Sequence, residues 1–166
     1  TIDVGFGDVI TPSPQEEEFP VLLDAPPPRI KAYTRESVIA EKLEAMVSLG
    51  DANSRMKDFA DVYFLSMHFD FDGATLSQAV ANTCERRETL IVRDPVAFTE
   101  QFIHLYHKQA QWNAFLRRSS PENIPDQFAD VVAGIAAFLG PVLAHLVDGG
   151  SVPGTWNPGG PWLDRG

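Results

Sequence analysis

Residues 35–62 read RESVIAEKLEAMVSLGDANSRMKDFADV, and this stretch decides the fold. Val38, Ile39, Leu43, Met46, Val47 and Leu49 recur at helical spacing. Thr34 is placed to cap the helix, Glu36 lies in its first turn, and Gly50 ends it. Asp51 to Ser54 form a polar turn with two candidate caps, Asn53 and Ser54, ahead of a second helix running to about Met67.

Each of these helices carries a charge where a core residue belongs. Lys42 shares a face with Val38 and Met46. Asp58 lies one turn below Val62 and two below Leu65, beside Phe59. Burying either charge alone is costly, whereas a mutual pair, or a ligand between them, offsets the cost. Two readings stand: Lys42 snorkels to water and the pair is structural, or the pair belongs to a cleft and its chemistry. If Lys42 faces an incomplete site, Lys42→Met is an expected stabiliser. Arg55, Lys57 and Asp61 crowd around Asp58 at spacings of three and four that allow contact. First-turn acids commonly answer the helix dipole, but Asp61 lies deeper in the helix.

Outward from this core, Ile2 to Asp8 alternates as a half-buried strand, with Asp3 opposite Ile2, Val4 and Phe6. Asp3 is an ordinary solvent-facing residue or, with Gly5 and Gly7 leaving its face bare, a group that a ligand can approach. Thr11 to Glu18 reads as a solvated loop, Phe19 to Asp24 as a second strand, and Arg29 to Tyr33 as a third after the turn at Pro26 to Pro28. A third helix is expected over Asp72 to Arg86. A fourth is announced by Asp94-Pro95 and carries Phe98, Phe102, Ile103, Leu105 and Tyr106. A fifth begins near Pro121 or Pro125, with a kink or split at Gly140-Pro141. The expected class is α+β, mostly helical: a β element over 1–33, a helical domain over 34–148 of about five helices, and a Gly/Pro/Trp-rich tail over 149–166 pinned by Trp156 and Trp162. A short run of strands followed only by helices suggests that the chain, which opens on Thr1, is the later part of a larger α+β core.

The 166 residues carry 13 basic and 23 acidic side chains, a net charge of −10, which argues against broad electrostatic binding of nucleic acid. One cysteine, Cys84, excludes a disulfide framework and a cysteine zinc cage, and is best read as a small core hydrophobe. No apolar run of bilayer length and no secretory leader is read, so the expected location is cytoplasmic, away from membranes. His104 and His107 lack a third ligand. Arg86 and Arg87 read as a solvated helix end, and Lys108, Arg117 and Arg118 as cations near a helix C-terminus. There is no glycine-rich phosphate loop, nucleophile elbow or zincin motif.

Residues 2–8 (IDVGFGD), 35–46 (RESVIAEKLEAM) and 54–62 (SRMKDFADV), in this order, resemble the later motifs of the AbiEii/AbiGii nucleotidyltransferase toxins. These bacterial abortive-infection and toxin–antitoxin proteins, associated with phage defence, are similar to polymerase-β-type nucleotidyltransferases, and the likeness in character runs over most of the chain, the ending included. The resemblance implies the C-terminal part of that fold. It matches Lys42 to a lysine contacting nucleotide phosphates, Asp58 to an essential acid, and Asp3 to a later strand acid able to complete a metal site. Arg55 and Lys57 are implied on the nucleotide side, with Glu41 and Asp61 in support. The family's first motif, a Gly-Ser or Gly-Thr turn with two metal-binding acids, is not found before Asp3. Mg²⁺ and an NTP are therefore expected for the complete enzyme and neither on this chain alone. Implied partners are an antitoxin and an RNA or protein acceptor, and a homodimer would cover an exposed sheet edge. Two other readings compete: a non-enzymatic interaction module, and an unrelated metal-dependent hydrolase using Asp3, Asp58 and Asp61.

Overall fold

The structure is a computed structural model and describes residues 15–18 and 29–164. The expected strands at Ile2 to Asp8 and Phe19 to Asp24, and with them Asp3, lie outside the described residues. Strand β1 (Gln15–Glu18) pairs antiparallel with β2 (Arg29–Ala32). A strand thus replaces the end of the loop expected over Thr11 to Glu18. The register sets Glu16 across from Lys31 and Glu18 across from Arg29.

Helix α1 (Arg35–Leu49) begins where expected, with the Ser37 amide donating to the Thr34 hydroxyl, and stops at Gly50, whose φ of 49° favours glycine. A short 3₁₀ turn (Gly50–Ala52) leads to α2 (Met56–His68). Neither Asn53 nor Ser54 is the cap of α2. Asn53 instead accepts the Arg55 amide on its side-chain oxygen at 2.9 Å, which shapes the turn one residue earlier. Helix α3 (Gly73–Arg86) is capped by Asp72, which accepts the Thr75 amide at 2.9 Å.

The single fourth helix expected after Asp94-Pro95 is broken. The chain forms a 3₁₀ turn (Val96–Phe98), leaves helical geometry at Thr99, makes one turn of α4 (Glu100–Ile103) and restarts as α5 (Lys108–Ser119). Thr99 is the reason: its extended backbone lets its hydroxyl accept the Phe102 amide as a new cap. Phe102 is buried, while Tyr106, expected on the apolar stripe, is 95% exposed.

Helix α6 (Phe128–Asp148) starts later than either proline and runs through Pro141 without splitting. Its first amide, at Phe128, donates to Oε1 of Gln109 on α5, and Gln109 Nε2 donates to the Asp126 carbonyl. By length and composition α6 is apolar enough to cross a membrane, contrary to the sequence expectation. Here it is the central core helix, burying Val131, Val132, Ile135, Phe138, Leu139 and Val142.

Around α6 pack α2 and α3, with α1 lying on α3. Ile39, Leu43 and Met46 of α1 join Phe59 and Val62 of α2 and Leu76 and Val80 of α3 in this core. Phe59 meets Phe128 edge-on at 5.1 Å and Phe102 at 6.1 Å. Gly134 permits the close α2–α6 approach, since a Cβ there would stand 2.7 Å from the Tyr63 ring. The tail pins as expected and also forms a sheet: β4 (Thr155–Trp156) pairs with β3 (Phe71–Asp72) and with β5 (Trp162–Leu163). The Trp156 indole donates to the Ser66 carbonyl at 2.7 Å and the Trp162 indole to that of Phe138 at 2.8 Å.

Candidate functional site

The two inward charges meet. Lys42 Nζ, on α1, lies 2.8 Å from Asp58 Oδ1 and 2.8 Å from Asp61 Oδ2, both on α2. Asp58 and Asp61 sit on adjacent turns, so one ammonium bridges them. Arg55 Nε reaches the other oxygen of Asp58 at 2.7 Å, and Lys57 Nζ bonds Asp61 at 2.6 Å. Three cations thus alternate with two carboxylates. Exposure grades outward, from 5% for the Asp58 side chain and 18% for Lys42 to 60% for Arg55 and 74% for Lys57. Burial pulls the Lys42 ammonium down, but its bonds to Asp58 and Asp61 outweigh this and hold its pKa above lysine's usual value. Lys42 is a firmly charged cation.

A second lysine sets where α2 begins. Lys108, the first residue of α5, is fully buried and donates to the carbonyls of Asp51 at 2.9 Å and Asn53 at 2.6 Å. Its ammonium also stands 4.1 Å over the Phe102 ring. Burial pushes its pKa below the ordinary lysine value, with Asp51 acting in the opposite direction. Lys108 therefore ties α5 to the turn that aims Arg55, Lys57 and Asp58. Read as a cation near a helix C-terminus, it was misplaced because the break at His104 to His107 makes it a helix start.

Beside the cluster lies an open cleft of about 410 Å³. Arg55, Lys57 and Asp58 line it from α2, and Gln111, Phe115 and Arg118 from α5. Lys42 stands outside it, across Asp58. Gln111 has a buried side-chain oxygen with no hydrogen-bond partner among the described residues.

The sequence of residues 1–134 matches the model of a protein family described as "Nucleotidyl transferase AbiEii toxin, Type IV TA system". The chain belongs to the AbiEii family. No curated protein and no solved structure matches it. The match takes in all three AbiEii-like stretches and ends inside α6, leaving the Gly/Pro/Trp tail uncovered. Membership carries a toxin–antitoxin, nucleotidyltransferase-like role at the level of the family, and an antitoxin as the kind of partner it implies.

Of the residues that the AbiEii resemblance singles out, the structure gathers Lys42, Arg55, Lys57, Asp58 and Asp61. Glu41 stands apart, bonded at 3.1 Å to Arg86 at the end of α3 and 3.6 Å from Arg87 just beyond it. Of the helix end expected to be solvated, Arg87 is exposed as read, and Arg86 is held half-buried against Glu41. Glu44, only 4% exposed and unremarked in the sequence, bonds Arg87 at 3.2 Å and accepts the Thr89 hydroxyl at 2.6 Å. His104 pairs with Glu100, whereas His107 lies against the Tyr106 ring. Cys84 is buried, and burial followed by the charge of Glu44 pushes its thiol up to about 11, which keeps it protonated and inert.

Among the described residues no group of three His, Cys, Asp or Glu side chains can hold a metal ion. Asp58 and Asp61 face lysine and arginine, which compete with any cation. The described residues do not fit a divalent-metal site by themselves, and the cluster holds three cations against two carboxylates.

Proposed function

We propose that this chain provides the nucleotide-facing side of a nucleotidyltransferase that moves a nucleotide from an NTP to an acceptor hydroxyl. The reading rests on one observation: Lys42, kept charged by two carboxylates, is the half-buried centre of a cluster holding one more cation than anion in a chain of net charge −10. In such a transfer the acceptor oxygen bonds to the α-phosphorus as the bond to the bridging oxygen breaks. Pyrophosphate leaves with the electron pair, and the hydroxyl proton passes to solvent. Negative charge grows on the leaving group, and a preorganised ammonium stabilises it there more than in the ground state. Asp58 holds Lys42 by a hydrogen bond through one oxygen and attracts Arg55 by charge through the other. Asp61 meets Lys42 and Lys57.

The test is transfer from α-labelled NTPs by the full-length protein, followed together with its effect on bacterial growth. Lys42→Ala and Asp58→Ala are each expected to abolish transfer and growth arrest while the circular dichroism spectrum stays helical. Near-wild-type transfer or toxicity by either variant overturns the assignment.

A further inference from the structure

We infer that Lys108 is a positioning residue for transfer: acting through Asn53, its buried ammonium sets how the chain enters α2, and so how Arg55 and Asp58 are held against Lys42. The inference rests on the nucleotidyltransferase reading above, and adds to it two residues that lie outside the three AbiEii-like stretches.

Lys108 stands where a lysine is unfavourable. It is fully buried, and among the described residues no carboxylate pairs with it. It opens α5, the end of a helix that favours anions. Methionine would fill much the same space without the charge. What the ammonium supplies is a grip on the turn before α2. It donates to the carbonyls of Asp51 at 2.9 Å and Asn53 at 2.6 Å, and the Phe102 ring lies 4.1 Å from it.

From Asn53 the contacts run to the charge cluster without a gap. Asn53 is itself fully buried, and its Oδ1 accepts the Arg55 amide at 2.9 Å. Arg55 precedes α2 and lies outside helical geometry, with φ −80° and ψ 65°, and its side chain does not cap the helix. The direction of the first turn of α2 is therefore left to Asn53 and, behind it, to Lys108. The Arg55 carbonyl accepts the Asp58 amide at 2.9 Å, and Arg55 Nε stands 2.7 Å from Asp58 Oδ2. Asp58 Oδ1 accepts from Lys42 at 2.8 Å. A preorganised charge acts only in its place, and a shift of about 1 Å can lower a rate about 100-fold. A tie that merely held α5 to the turn would change the folded fraction and leave the turnover of folded protein alone. A positioning residue lowers turnover, and does so through Arg55 and Asp58.

The experiment measures transfer from α-labelled NTPs by the full-length protein, with a bacterial lysate as the source of acceptor, at a temperature where circular dichroism shows every variant folded. Lys108→Met and Asn53→Ala are each expected to lower the apparent kcat about tenfold, with KM for the NTP within about threefold of the parent. In an Arg55→Ala background each should cost less than about threefold, because the residue it acts through is already gone. Gln109→Ala, which removes the cap on the Phe128 amide from the same helix, is the control for lost stability and should keep the parent's kcat. Asn53→Ala deletes an amide whose nitrogen has no partner among the described residues, so it decides the matter alone if Lys108→Met does not fold. A kcat for both variants equal to that of Gln109→Ala, or an undiminished loss in the Arg55→Ala background, overturns the inference. A parent that transfers nothing removes the nucleotidyltransferase reading and this role with it, whereas an active parent with unaffected Lys108 and Asn53 variants removes the role alone.

Discussion

Helix α1 carries two ionic seams that end differently. Toward α3, Glu41 and Glu44 meet Arg86, Arg87 and Thr89, and the charges close on one another across a helix–helix contact. Toward α2, Lys42 meets Asp58 and Asp61, and the chain of charges continues through Arg55 and Lys57 into an open cleft. Both seams place acids against bases at hydrogen-bond distance. The first behaves as a clamp. The second leaves cations beside a space that a ligand can fill, and this separates a structural network from a candidate site better than burial does, since Glu44 and Asp58 are both 4% exposed.

The largest effect that separates the seams is on transfer. Asp58→Ala is expected to reduce nucleotide transfer by the full-length protein at least about 100-fold, the scale of removing a preorganised electrostatic group. Glu41→Ala should leave transfer within a factor of a few, although the AbiEii resemblance places Glu41 in support. A similar loss from both variants would merge the two seams into one site. Stability should rank the other way. Glu44→Ala strands Arg87 and the Thr89 hydroxyl and is expected to cost about 2 kcal/mol, or a fall of about 4–8 °C in Tm for a chain of this size, followed by circular dichroism. An unchanged Tm would remove the clamp from the comparison.

Much of this was legible because a charge inside an apolar helical period is conspicuous. Lys42 among Val38, Leu43 and Met46, and Asp58 beside Phe59 and Val62, predicted a pair that the structure brings to 2.8 Å. Glu44 was not legible: it falls beside Leu43 in a run rich in charged residues, and only the arrival of Arg87 from α3, far along the chain, explains its burial. Lys108 and Gln111 were hidden for a related reason. A fourth helix read as continuous from Asp94 gives α5 the wrong start, because the chain leaves the α-helix at His104 to His107 inside an apparently unbroken apolar stripe. Long-range caps such as Gln109 on the Phe128 amide leave no local signal at all.

The smallest expected effect concerns Lys42 itself and tests whether the site seam stabilises as well as binds. With Asp58 and Asp61 already on its ammonium, and with solvent reaching Lys42 and Asp61, Lys42→Met should lower stability by about 1 kcal/mol, the upper value for a solvent-reached pair. This reverses the stabilisation expected of a lysine facing an incomplete site, because its counter-charges are inside the chain. The pKa of Lys42 is raised in the folded protein, so its contribution is fully present below the unfolded lysine value of about 10.4 and disappears as pH rises through the folded value. Urea unfolding of the parent and of Lys42→Met should therefore differ at pH 7 and converge in strongly alkaline solution, where the parent loses stability and the variant lacks this titration. A gap that stays constant with pH would mean that the lysine stabilises through its apolar stem, and the α1–α2 seam would then be held by packing with its charges left to the ligand.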